Sequence, residues 1–413
     1  MQTKRLLLLL ALSPMMAVAH HQILSADFKT LQVVLNDDWR ALPVMTLGSE
    51  DVLHIGFDQL SHDYHRLVYH LEPCNPDWTP TDGLFESDWL DGFNDRPIDN
   101  YENSLNTTVL YTHYNMQLPN ADTRIKLSGN YRLHIIDEDA DDAEVIVVEL
   151  MVVEPIVDVG MAVTTNTDVD LNQSHQQLAM NVSYKSLRVT NVADQVQTVV
   201  MQNGREDNMK VNVKPSFTTT TGLQWEHNRH LIFEAGNEYH KFEVLDPSHP
   251  TMGLGYVAWD EEQHRFHVFP FFVEQQRNYI YDEDADGAFL IRNSDDVEVD
   301  NTSDYVLVHY KLKALRHYDH ARVVIDGWWT NEPLEVYTME WNEEEQSYNA
   351  VVLQKLGYYN YQLRLVDMDG TTHTLPETGS FYQTENRYDA FVYYREVGGR
   401  SWRLVGYGST QSR

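Results

Sequence analysis

The stretch Tyr305-Val-Leu-Val-His-Tyr-Lys-Leu312 decides the fold class. On an extended chain Val306, Val308, Tyr310 and Leu312 share one face, and Leu307, His309 and Lys311 share the other. A helix would scatter those four apolar residues around its axis. Working outward, residues 30–35, 131–136, 145–153, 358–365 and 388–394 repeat the alternation or are dense in β-branched and aromatic side chains. Turn residues separate the runs. Ser128-Gly129-Asn130 is one such turn, and Asn203-Gly204 and Asp369-Gly370 are two-residue hairpin signals. Long helical periodicity is missing, and residues 311–321 offer one short helix at most. The expectation is an all-β chain of three consecutive β-sandwich domains, immunoglobulin-like or early-set-like, with little helix.

At 413 residues the chain has room for several domains. Pro155 closes Met151-Val-Val-Glu-Pro155, where it stops further pairing. Residues 276–300 form a second, polar and acidic break. The expected domains are therefore 20–155, 156–275 and 276–413. Residues 1–19 read as a signal peptide: Lys4 and Arg5, a short apolar core, then Ala17-Val18-Ala19 as a small-x-small cleavage site. Cleavage between Ala19 and His20 makes His20 the first mature residue. No later stretch is long and apolar enough for a membrane-spanning helix.

Charge narrows the function. The chain carries 30 Lys and Arg against 63 Asp and Glu, a net charge of −33, with the acidity heaviest in the first third. Nucleic-acid binding and coating of anionic membranes need clustered cations and are excluded as general roles. The single Cys, Cys74, excludes a disulfide framework and a thiolate metal cage. No nucleophile elbow occurs, and carboxylates are too numerous for one pair to stand out as acid and base. No catalytic residue, no cofactor and no small-molecule substrate are expected.

Three groups of residues are candidates for binding. Asp282, Asp284 and Asp286, followed by Gly287, match the opening of a calcium loop, but Asn293 stands where a bidentate Glu belongs. An acidic hairpin turn explains them as well, so they are weak metal candidates, consistent with a calcium-stabilised adhesin. Trp328, Trp329 and Trp341 are candidate glycan-stacking rings, the basis of an alternative reading as a periplasmic or surface carbohydrate-binding module. Residues 75–106 form a long strand-poor loop carrying Trp78, Phe85, Trp89, Phe93 and Tyr101. Such aromatics serve either to close a sandwich end or to anchor a protein partner.

Several segments, in order, carry a family resemblance. They are Cys74-Asn-Pro-Asp-Trp-Thr-Pro80, Trp89-Leu-Asp-Gly-Phe93, Tyr111-Thr-His-Tyr114, Lys126-Leu-Ser-Gly-Asn-Tyr131 and Met151-Val-Val-Glu-Pro155. Gln202-Asn-Gly-Arg205, Gly379-Ser-Phe-Tyr-Gln-Thr-Glu-Asn386, Tyr393-Tyr-Arg395 and Arg403-Leu-Val-Gly406 follow. Together they resemble the plug protein of the type IX secretion system of Bacteroidetes, over nearly all of the mature chain. The resemblance implies sandwich domains, export to the periplasm and no enzymatic activity. It implies one partner, the outer-membrane translocon β-barrel of that system, occluded from its periplasmic end when no cargo is engaged. The protein would then sit at the inner side of the outer membrane through that partner, without inserting. The resemblance assigns no individual plugging residue.

Overall fold

The computed structural model describes residues 21–412; the expected signal segment, with Ala19 and His20 at its cleavage site, lies outside the described residues. Strand makes up 49% and helix 5% of the structure, so the all-β expectation holds. The deciding stretch is the strand Tyr305–Lys313, with Val306, Val308, Tyr310 and Leu312 buried in one core. The short helix allowed at residues 311–321 does not form. Lys311 and Lys313 stay in the strand, paired to Asn349 and Ser347, and the next strand starts at Ala321.

Two sheets enclose the first core. One runs Gln22–Ile23, Ala143–Val153, Gly129–Asp137, Leu67–Cys74 and Arg96–Pro97, with Val44–Thr46 alongside Ala143–Val153. The other runs Phe28–Leu35, Leu53–Gln59, Thr112–Leu118 and Tyr101–Asn103. Ile55, Phe57, Leu71, Leu133, Val148 and Leu150 fill the space between them at 0% exposure. Ala143–Val153 is buried on both faces after its first two residues. Its even positions face this core, while Met151 and Val153 join a smaller cluster with Val199, Phe391 and Leu404. That strand therefore belongs to two cores at once.

The second core contains an element from the far end of the chain. Its first sheet runs Asp158–Thr164, His175–Ser183, Gly222–Trp225 and Phe217–Thr218. Its second runs Arg205–Val211, Val196–Gln202, Arg387–Tyr394 and Arg403–Gln411. Val196 pairs with Tyr394 and Gln202 with Tyr388, so the C-terminal hairpin completes a sandwich begun some 200 residues earlier. Between these parts lies a ten-stranded sheet system built from His240–Val244 through Thr372–Thr374. The expected break at 275/276 falls inside it. Val268 pairs in parallel with Val308, and Val273 N–H donates to Lys311 O at 2.8 Å. The third sandwich is thus inserted into the second, an arrangement that strand alternation cannot reveal, because it shows which residues form strands and not which strands pair.

Among the described residues α-helix is confined to single turns of four residues, and three of these run straight into a strand: Glu86–Trp89, Val192–Gln195 and Leu334–Tyr337. Each places one buried side chain, Trp89, Gln195 or Tyr337, at the strand entry. Among the described residues, no helix is long and apolar enough to cross a membrane.

Candidate functional site

The loop aromatics separate into two sets. Trp78 and Trp89 are buried at 8% and 4% exposure, Trp89 tilted against Tyr131. Phe85, Phe93 and Tyr101 stand out at 72%, 66% and 42%. Trp89 therefore closes the end of the first core, Trp78 packs with Met151, Val199, Phe391 and Leu404 between the first and second sandwiches, and the other three are exposed. Arg400 holds the loop to the C-terminal hairpin by donating to Gly83 O at 2.9 Å and Asp88 Oδ2 at 3.0 Å. Tyr101 packs 5.0 Å from Tyr64 and 5.6 Å from Tyr114.

The three tryptophans proposed for sugar stacking are placed inward or along a seam. Trp329 is buried, its indole N–H donating to Asn360 O at 2.8 Å, with Tyr337 and Tyr359 edge-on to it. Trp328 donates to Asn203 O at 3.1 Å, and the Arg387 guanidinium lies 5.0 Å over its ring. It fills the seam between the second and third sandwiches. Trp341 packs against the third core and Tyr348, and donates to Glu343. The three do not form a common platform.

Protein groups occupy the acidic turn at Asp282 as well. Lys241 Nζ reaches Asp282 at 2.6 Å, the Asp284 carboxylate accepts from Tyr239 N–H and Asp286 N–H, and Ala285 N–H donates to Asn360. Burial pushes the Asp284 carboxyl up to about 8 and that of Asp286 to about 6, the latter against the pull of Arg387. Asp284 therefore holds its proton at neutral pH, which makes it a poor ligand for a hard cation. Among the described residues, no group of three or more His, Cys, Asp or Glu is arranged to hold a metal. The turn packs into the seam instead: Gly287 takes φ 93°, and its carbonyl accepts from Trp328 N–H at 2.9 Å.

The most heavily built polar site was not picked out from the sequence. It lies where the first sandwich meets the third. Asp58 and Lys355 are both fully buried, Nζ to Oδ2 at 2.7 Å. His113 Nδ1 approaches Asp58 Oδ1 at 2.7 Å, and Tyr305 OH donates to Oδ2 at 2.6 Å. Lys355 also donates to Asp300 O and lies 4.1 Å over the Tyr111 ring. Tyr111 OH donates to Ser303 O at 2.8 Å, and Asp304 accepts from the backbone of Thr108 and Val109. Burial pushes the Asp58 carboxyl up, but the Lys355 charge and the His113 bond outweigh it, so Asp58 is held below the ordinary carboxylate range. A buried charge this well satisfied fixes relative position, because any shift strands an ion in an apolar seam. Asp58 and His113 come from the first sandwich, and Tyr305 and Lys355 from the third. One cue was present in the sequence: Lys355 ends an apolar strand on which a lysine is out of place.

A second bridge joins all three sandwiches. Arg387 of the C-terminal hairpin bonds Asp389 at 3.0 Å and donates to Arg40 O at 2.7 Å. Arg205 bonds Asp207, and its Nε lies 3.9 Å from Asp326 across the seam. What these arrangements do chemically is hold three rigid bodies in one orientation.

Comparison with known proteins assigns the architecture. Residues 28–154 match the family model described as the type 9 secretion system plug protein 1st domain. The chain belongs to the type IX secretion system plug family. A crystal structure of a hypothetical protein from Parabacteroides merdae is 34% identical and superimposes with a TM-score of 0.90, covering 95% of this chain and 99% of that one. The search of curated proteins found no match. Membership in the plug family ties the protein to type IX secretion and to the cell envelope, and points to a role other than catalysis.

Proposed function

We propose that this protein is a non-enzymatic periplasmic plug that binds the outer-membrane translocon β-barrel of the type IX secretion system and occludes it when no cargo is engaged. It reaches the periplasm by export with cleavage after Ala19, and sits at the inner side of the outer membrane through its partner. We take its units to be three sandwiches: 21–155, a discontinuous second made of 156–235 and 384–412, and an inserted third. The observation that carries this reading is the pair of seams. A pore wide enough for folded cargo leaks solutes when open. A stopper must therefore keep its shape while its loops make and break contacts. The buried Asp58–Lys355 pair and the inserted third sandwich supply that rigidity.

The exposed Phe85, Phe93 and Tyr101 are the proposed contact surface, since exposed aromatics of this kind anchor protein interfaces. The test is a pull-down of tagged mature protein from gently solubilised outer membranes. A very large barrel protein recovered in stoichiometric amount is expected. Repeated recovery of nothing, in strains lacking other channel components, would overturn the reading. Replacing Phe85 and Phe93 together by Ala is expected to lower barrel recovery without lowering the melting temperature.

A further inference from the structure

A cavity of about 120 Å³ lies where all three sandwiches meet. Trp39 and Met151 line it from the first, Met201 and Phe391 from the second, and Phe289 and Trp328 from the third. Met209, on the strand Arg205–Val211, also lines it and is 37% exposed, which marks the way in from solvent. An engineered apolar cavity of about 150 Å³ takes up benzene, so this one suits a body of about six non-hydrogen atoms.

Two acidic side chains, Glu149 and Glu206, interrupt these apolar walls. The Glu149 side chain is buried, and its Oε1 lies 2.9 Å from both Nε and Nη2 of Arg132. Its Oε2 and the Oε2 of Glu206 are buried without a hydrogen-bond partner among the described residues. Burial pushes Glu149 up to about 8 against the pull of Arg132, and burial together with the nearby Glu149 pushes Glu206 well up. Both are therefore neutral acids at neutral pH, and each carries an O–H. Since Oε1 of Glu149 serves Arg132, the proton sits on Oε2, the oxygen without a partner. A buried donor without an acceptor is costly. That combination selects a ligand. A cation would meet two neutral acids, and an anion would be stripped of water against tryptophan, methionine and phenylalanine. A neutral molecule with a carbonyl group meets both needs. Its body fills the apolar walls, and the two lone pairs of its oxygen accept from the acid O–H groups.

We propose that this junction is a binding site for a small, neutral, apolar carbonyl compound, a ketone, ester or lactone of about six or seven non-hydrogen atoms, whose oxygen accepts hydrogen bonds from Glu149 and Glu206. Because the walls come from all three sandwiches, an occupant stabilises their docked arrangement by mass action. The site is separate from the exposed Phe85 and Phe93 and does not depend on the barrel reading.

The test uses the full mature chain and three probes built on one ring. They are cyclohexanone, methylenecyclohexane, which has an olefin in place of the carbonyl, and cyclohexylamine, an ammonium at neutral pH. Binding is read by ligand-observed NMR titration and by the melting temperature at millimolar probe. Cyclohexanone is expected to bind about tenfold tighter than methylenecyclohexane, the factor one hydrogen bond supplies, and to raise the melting temperature. Cyclohexylamine is expected to do neither. Glu206→Leu removes one donor and is expected to cut the preference to about threefold or less, whereas Glu206→Gln, whose amide still donates, keeps it. Equal binding of the two neutral rings, tighter binding of the amine, or no binding of cyclohexanone would each overturn the proposal, and none of these comparisons needs the variant to fold. A preference left intact in folded Glu206→Leu would put the ketone elsewhere and overturn it too. Recovery of the barrel in the pull-down bears on none of these outcomes, so the two readings fail separately.

Discussion

Lys355 and Asp58 show what one buried pair contributes at the scale of the residue. Each ion is out of water, and each is tolerated because the other, with His113, Tyr305 and a backbone carbonyl, satisfies it. Replacing such a pair with well-packed apolar groups often costs little, whereas removing one partner leaves a bare charge. Lys355→Met is therefore expected to destabilise the protein by about 3–5 kcal/mol in urea titration. Asp58→Asn added to it should recover part of the loss. The pH dependence has a definite sign. The Asp58 carboxyl is held below its ordinary value by Lys355 and His113 despite burial, so its contribution is present above the unfolded value, about 3.9, and is lost as pH falls through the lower folded value. Stability measured against pH in acid should fall less steeply for Asp58→Asn than for the native chain. The Asp282 turn makes a contrasting prediction at this scale. Its oxygens already serve Lys241 and backbone donors, so millimolar calcium is expected to leave the melting temperature unchanged, where a tight ligand would raise it by mass action.

At the scale of the element, local signals were legible and pairing was not. Asn203-Gly204 forms the expected tight turn, with φ of 56° and 68° and Gln202 paired to Arg205. Its glycine does a second job that the dipeptide does not announce. A Cβ there would meet Leu42 Cδ2 at 3.0 Å and the Trp328 ring at 3.1 Å, so the turn tip is wedged between the other two sandwiches. Gly204→Ala is accordingly expected to cost about 1–3 kcal/mol, from left-handed strain plus crowding, and to shift Trp328 fluorescence. The Asp282–Gly287 turn was legible as a turn for the same reason, and its packing role was hidden for the same reason. The C-terminal hairpin is the clearest case of hidden pairing. Residues 388–394 read correctly as a strand, but alternation carries no address, and their partner lies at Val196–Gln202. The hairpin supplies Tyr388, Ala390, Val392, Tyr394 and Val405 to the second core. A chain ending at residue 383 is thus expected to lose the second sandwich, read as rapid proteolysis within residues 156–235, although every earlier strand of that sandwich is intact in sequence.

On the scale of the whole molecule, the same two features set how the protein comes apart. The third sandwich leaves the second by one strand connection and returns by another, so neither can drift from the other without straining both links. The first sandwich has no such double tether. It is held by Pro155 and its neighbours, by the shared strand Ala143–Val153, and by the Asp58 seam. Multidomain chains ordinarily unfold in steps, because inter-domain interfaces are weaker than cores. Here the seam buries a satisfied ion pair between Tyr111 and Tyr305, which raises the cost of separating the first and third bodies to that of opening a core. Scanning calorimetry of the native protein at neutral pH is expected to give one transition. With Lys355→Met the first sandwich should melt separately, as an earlier transition whose size matches residues 21–155 alone, while the interlocked second and third remain in a single later one. A native profile already split in two would mean that the seams do not couple the sandwiches, and a stopper that must hold its shape against a wide pore would have to draw its rigidity from the partner instead.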